Sequence, residues 1–70
     1  APGEAVYLEL EMEVTKIALY DLNGRLVKEW HGLAQSLWTL ETTGLPQGIY
    51  MGRATNTNSH TQHFRLCIAY

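Results

Sequence analysis

From Ala5 to Glu13 the chain alternates strictly, with Val6, Leu8, Leu10 and Met12 on one parity and Tyr7, Glu9, Glu11 and Glu13 on the other. A helix turning about 100° per residue would scatter those four apolar side chains around its axis, whereas a strand puts them all on one face. The carboxylates then face water, and the apolar face must be covered by other parts of the chain. With 70 residues there is room for one domain and no second. At about 0.05 to 0.15 kcal/mol per residue, its net stability is roughly 3.5 to 10 kcal/mol.

Residues 15 to 21 read as a second strand, with Ile17 and Leu19 on one face and Lys16, Ala18 and Tyr20 on the other. Asn23-Gly24 follows, a dipeptide suited to a two-residue type I′ hairpin loop because both central positions need positive φ. That predicts a hairpin between 15–22 and 25–30. A helix over 25–39 competes, since Leu26, Val27, Trp30, Leu33, Ala34, Leu37 and Trp38 recur at amphipathic helical spacing. Against it stand Gly32 and the Val, Trp and Thr content. Residues 36 to 42 read as a strand with Trp38 and Leu40 inward. Leu45-Pro46-Gln47-Gly48 reads as a turn, Pro46 presetting φ and Gly48 free to make it positive. Ile49 to Thr55 is then a strand and Asn56 to His60 a polar loop. In the closing strand Gln62, Phe64, Leu66, Ile68 and Tyr70 alternate with His63, Arg65, Cys67 and Ala69. These short strands predict an all-β chain, a small antiparallel β-sandwich of about six to seven strands.

Composition narrows the function classes. Five Lys and Arg against seven Asp and Glu leave a net charge of −2, and no basic run exists to neutralise phosphates, so no nucleic-acid partner is expected. No apolar stretch approaches the roughly 20 residues of a membrane-spanning helix. Ala1-Pro2-Gly3-Glu4 has neither the basic nor the apolar region of a signal peptide, so any export signal is expected upstream on a longer parent chain. The single Cys67 can form no internal disulfide. It leaves two routes to a dimer, a disulfide between chains or pairing along a sheet edge.

Candidate chemistry is sparse. His60 and His63 would fall on opposite faces of a strand, which suits no shared metal, and His31 is remote in sequence. Glu9, Glu11 and Glu13 on a flat strand lie too far apart to converge on calcium. Cys67 and His63 share a face but sit four strand steps apart, roughly 13 Å, beyond nucleophile-base contact. No phosphate loop, serine elbow or zinc signature is present, so the chain is read as no enzyme and as needing no cofactor. Tyr7, Tyr20, Trp30, Trp38, Tyr50, Phe64 and Tyr70 are read mainly as core, and Arg25, Arg53 and Arg65 as solvated residues suited to an interface.

Tyr20-Asp21-Leu22-Asn23-Gly24-Arg25-Leu26-Val27, then Leu40, then Gly44-Leu45-Pro46-Gln47-Gly48-Ile49-Tyr50, resemble in order and spacing the C-terminal sorting domain of type IX secretion cargo. That family has a tyrosine-aspartate-x-x-glycine-arginine hairpin, a leucine-proline-x-glycine-x-tyrosine turn, and a last strand. The resemblance spans about residues 14 to 70. It implies an immunoglobulin-like antiparallel β-sandwich at the end of a larger protein, read by the outer-membrane translocon while in the periplasm on its way to the outer membrane or cell surface. In typical cargo a sortase-like cysteine peptidase then removes the domain and attaches the cargo to anionic lipopolysaccharide. The motif residues carried over are Tyr20, Asp21, Gly24, Arg25, Leu45, Pro46, Gly48 and Tyr50, with Arg65 standing for the first lysine of the family's last strand.

Two features depart from the family. The last strand, Phe64 to Tyr70, lacks the terminal basic residue, and only Ala1-Pro2-Gly3 stands where a proline-rich lead is usual. They point to a domain retained as a docking module, recognised by addition of a partner strand to a sheet edge. The rival expectation is an accessory adhesion or carbohydrate-binding module stacking sugars on Trp30, Trp38 and tyrosines.

Overall fold

The computed structural model describes residues 5–69, all strand and loop with no helix. The short lead Ala1-Pro2-Gly3 and the terminal Tyr70 of the closing strand lie outside the described residues. Strand β1 runs Ala5–Tyr20, β2 Leu26–Glu41, β3 Gly48–Thr55 and β4 Thr61–Ile68. They form one antiparallel sheet in the order β2-β1-β3-β4. The expectation of an all-β antiparallel chain is met, but these residues make four strands where six or seven shorter ones were expected.

The difference lies in β1 and β2, each 16 residues long, and on β1 its cause is a change of parity. On β1 the inward residues are even-numbered up to Val14, and then Ile17 and Leu19 take over. An extra residue in the strand switches the face without ending the strand, and the β1–β2 register is irregular between Glu9 and Val14 and between Val14 and Lys16. What reads as two strands on β1 is one strand with a bulge. The helix over 25–39 does not form, because Trp38 and Leu40 are needed on one face at a period of two, and those are the buried residues of β2.

The long strands also fold back on themselves. Sixteen extended residues would span about 50 Å, yet the longest dimension of the molecule is 34 Å. Lys28 and Glu41 of β2 would be about 43 Å apart on a straight strand, but the Lys28 Nζ donates to the Glu41 carbonyl at 3.1 Å. The far part of the β1–β2 ribbon therefore lies across the inner face of the rest of the sheet. Two layers arise from one folded sheet.

The core sits between those layers. Leu10, Val14, Ile17, Trp38, Leu40 and Ala54 form one cluster, with Leu8, Met12, Trp30 and Phe64 packed on it. Leu19, Tyr50, Leu66 and Ile68 form a second, against which Val6 from the start of β1 and Leu45 are packed. On β4 the alternation of Phe64, Leu66 and Ile68 inward with His63, Arg65 and Cys67 outward is as the sequence indicates. Glu9, Glu11 and Glu13 are exposed, also as expected. Gly52 lies directly opposite Phe64, whose ring occupies the space a Cβ would need.

Candidate functional site

Residues 21–25, between β1 and β2, carry the first motif, and their hydrogen bonds explain its composition. The Gly24 N–H donates to the Asp21 carbonyl at 3.0 Å, and the Asp21 N–H to the Arg25 carbonyl at 2.9 Å. Asp21 Oδ1 accepts the N–H groups of Asn23 at 2.9 Å and Arg25 at 3.0 Å. The result is a three-residue loop of type I followed by Gly24 at φ +83°, not the two-residue type I′ loop expected from Asn23-Gly24. Asn23 keeps a negative φ, since Ser59 is the one described non-glycine residue with a positive value. Asp21 selects this geometry by bonding the backbone two and four residues on, and Gly24 takes the left-handed position that closes it.

The same wiring recurs between β3 and β4. The Ser59 N–H donates to the Asn56 carbonyl and the Asn56 N–H to the His60 carbonyl, both at 3.0 Å. Asn56 Oδ1 accepts from Asn58 at 2.9 Å and His60 at 3.0 Å. Ser59, at φ 67°, occupies the place Gly24 holds in the first loop. Aspartate and asparagine at the first loop position were the signal that sequence reading passed over.

The second motif lies in the β2–β3 connection. Its hydrogen-bonded turn is Thr42 to Leu45, closed by the Leu45 N–H on the Thr42 carbonyl at 3.0 Å with Gly44 at φ +90°. That is three residues earlier than the Leu45–Gly48 turn expected. Gly48 does adopt a positive φ, +153°. Leu45 packs on the second core cluster. Tyr50, almost fully buried, donates its hydroxyl to the Pro46 carbonyl at 2.6 Å. Leu45, Gly48 and Tyr50 of this motif thus each have a mechanical reason. Tyr50→Phe is expected to lower the unfolding free energy by about 1 kcal/mol, the net value of one such bond, measured by urea denaturation.

The register brings part of the two motifs together. Leu26, Tyr20, Met51 and Arg65 form one row across all four strands on the outer face. The next row holds Glu29, Ala18, Arg53 and His63, and the one beyond it His31, Lys16, Thr55 and Thr61. Arg53 Nη2 donates to the Tyr20 hydroxyl at 2.7 Å, and its guanidinium carbon is 5.4 Å from the Tyr20 ring centre. Beside this pair a cleft of about 320 Å³ is lined by Tyr20, Asp21, Leu22, Met51, Arg53 and His63, with backbone of Gly24 and Gly52. Arg25 is exposed in the loop and Arg65 on β4. Arg53 is the residue of this face that motif reading left out; it lies three positions after Tyr50, on the outward parity of β3.

Elsewhere the surface is simple. Among the described residues no group of three His, Cys, Asp or Glu side chains is placed to hold a metal ion. Trp38 is buried, with its indole N–H donating to the Gln35 carbonyl at 2.9 Å, and Trp30 packs against both core clusters with Lys28 Nζ 5.6 Å over its ring. Those two indoles do not form an open stacking platform. The sheet edges are β2 and β4. A family model described as secretion system C-terminal sorting domain matches residues 3–68. No curated protein and no solved structure matches the chain.

Proposed function

The chain belongs to the family of secretion system C-terminal sorting domains, the sorting signals of type IX secretion, and on that premise we propose that it docks on the secretion machinery by adding a partner strand to β4. The observation that carries this reading is the position of β4, a sheet edge bonded, among the described residues, only to β3. An edge of this kind offers main-chain groups for affinity and alternate side chains, here His63, Arg65 and Cys67, for register. The two motif loops fix the end of the sheet on which that edge is presented. The protein is carried through the periplasm to the outer membrane and cell surface, with the outer-membrane translocon as first partner and the sortase-like attachment machinery as second.

The finer fold reading is an immunoglobulin-like sandwich reduced to one folded sheet. It is supported by Tyr50, whose hydroxyl bonds backbone four residues upstream at the start of β3, in the manner of the tyrosine corner of such sandwiches. Retention of the domain after export is supported by the 64–69 stretch, where Arg65 is the one basic residue. Cys67, exposed on the outer face, offers a disulfide route to a second chain. The chain's role is recognition, without catalysis.

The test is export of a reporter fused to residues 1–70 in a bacterium with type IX machinery. Surface delivery is expected with the native chain and is expected to fall at least about tenfold with Arg65→Glu plus Cys67→Glu, two exposed positions whose change leaves the core intact. Unchanged delivery by that variant overturns docking at β4, and no delivery by the native chain overturns the sorting reading.

A further inference from the structure

The outer face of the four-stranded part of the sheet is basic and the outer face of the folded-over part is acidic. By register, Lys16, Arg53 and Arg65 occupy the first, where Glu29 is the one carboxylate and is engaged with His31 at 3.2 Å. Glu9, Glu11 and Glu13 occupy the second. In a chain whose net charge is −2, three of the five Lys and Arg side chains share one face.

Arg53 is the prepared member of that set. Its guanidinium is held by the Tyr20 hydroxyl and stacked near the Tyr20 ring, so little side-chain freedom is left to lose on binding. Among the described residues it forms no ion pair, the one such pair being His31 with Glu29. Asp21 lines the same cleft, but its Oδ1 is committed to two loop N–H groups. Arg53 therefore presents an oriented cation, in no ion pair among the described residues, to a cleft whose other walls are the Tyr20 ring, Leu22, Met51 and His63, with the Asp21 carboxylate also lining it.

We propose that this cleft, with Arg53 as its anion-holding residue, takes the carboxylate of an acidic side chain on an extended acidic-apolar segment of the partner protein. The proposal rests on the sorting reading and adds the chemistry of what is recognised. A cleft of about 320 Å³ stands at the small end of ligand sites, where one or two side chains fill it. A guanidinium fork matches a carboxylate in two parallel hydrogen bonds, and the apolar walls suit a neighbouring apolar residue. The chain's own Leu8-Glu9-Leu10-Glu11 stretch has that composition, but its leucines are turned into the core, so a second copy cannot offer them to the cleft.

The experiment is an NMR titration of the 70-residue chain with the blocked peptide acetyl-Leu-Glu-Leu-Glu amide, its Gln counterpart, and inorganic phosphate, at low ionic strength. Saturating shifts centred on Arg53, Tyr20 and Met51 are expected, with a Kd of about 0.1–1 mM and binding at least about tenfold tighter than the Gln peptide. Arg53→Gln should abolish the shifts with the rest of the spectrum unchanged. Should that variant unfold, Arg65→Gln, at an exposed position, should weaken binding about threefold. Equal binding of the Glu and Gln peptides overturns the proposal, as do phosphate binding as tightly as the peptide, shifts centred on residues 9–13, and self-association of the chain that shifts the same Arg53, Tyr20 and Met51 signals without peptide. Reporter export measured in parallel separates the two readings: native export with no peptide preference discards the cleft and keeps the sorting role.

Discussion

Leu40→Ala should lower the unfolding free energy by about 2–5 kcal/mol, while Leu33→Ala, on the same strand, should change it by no more than about 0.5 kcal/mol. Leu40 is 0% exposed and Leu33 is 87% exposed. The contrast is large because Leu40 is on the inward parity of β2, against the cluster of Leu10, Val14, Ile17, Trp38 and Ala54, whereas Leu33 is on the exposed parity. Against a total of roughly 3.5 to 10 kcal/mol for a domain of this size, the first change removes a large share of the stability. Denaturation in urea followed by tryptophan fluorescence measures both. Similar losses from the two variants would mean that the Leu40 side chain is not held against that cluster.

Gly52→Val should cost about 1–3 kcal/mol, as overpacking does, although valine is the better strand former. The Phe64 ring fills the site where a Cβ would stand, and in the central part of a sheet that conflict exceeds the propensity gain of about 1 kcal/mol at most. Glycine facing an aromatic across a strand pair is a recognised way of fitting a large ring into a thin sheet. The decisive measurement is the double variant Gly52→Val with Phe64→Ala, whose loss should be smaller than the sum of the single losses by about 1–3 kcal/mol. Strict additivity would show that the ring does not lie over Gly52.

Much of this architecture is legible in the chain. Alternation placed Val6 to Met12, Ile17, Leu19, Trp38, Leu40 and Phe64 to Ile68 on their inward faces, since a period of two is a local property. Strand number is not local. The shift from even to odd inward positions after Val14 looks like an end, and only the pairing partners on β2 and β3 reveal a bulge inside one long strand. The helix over 25–39 was suggested by apolar residues that the structure leaves exposed, among them Leu33 and Leu37; they lie on an edge strand, where one face and one edge have nothing to cover them. At the site, glycine and proline marked both motif loops correctly, while the turn type was decided by the Asp21 carboxylate, a side-chain acceptor that dipeptide reasoning ignores. Arg53 has no motif of its own, and becomes notable only when the register sets it beside Tyr20.

The strand order has a consequence for how the chain acquires its shape. The β1–β2 and β3–β4 pairs are each joined by a five-residue connection, and the pairs meet along one seam, Lys16–Tyr20 with Met51–Thr55. Hairpins closed by short loops form in roughly 1–10 μs, whereas the seam joins residues more than thirty positions apart and must wait for that longer search. The domain is thus assembled from two early, separately made ribbons, and the step that completes it is their docking. A chain arriving with β3 and β4 missing would have its first ribbon but no partner for it, so the recognisable surface exists only once the whole segment has been made.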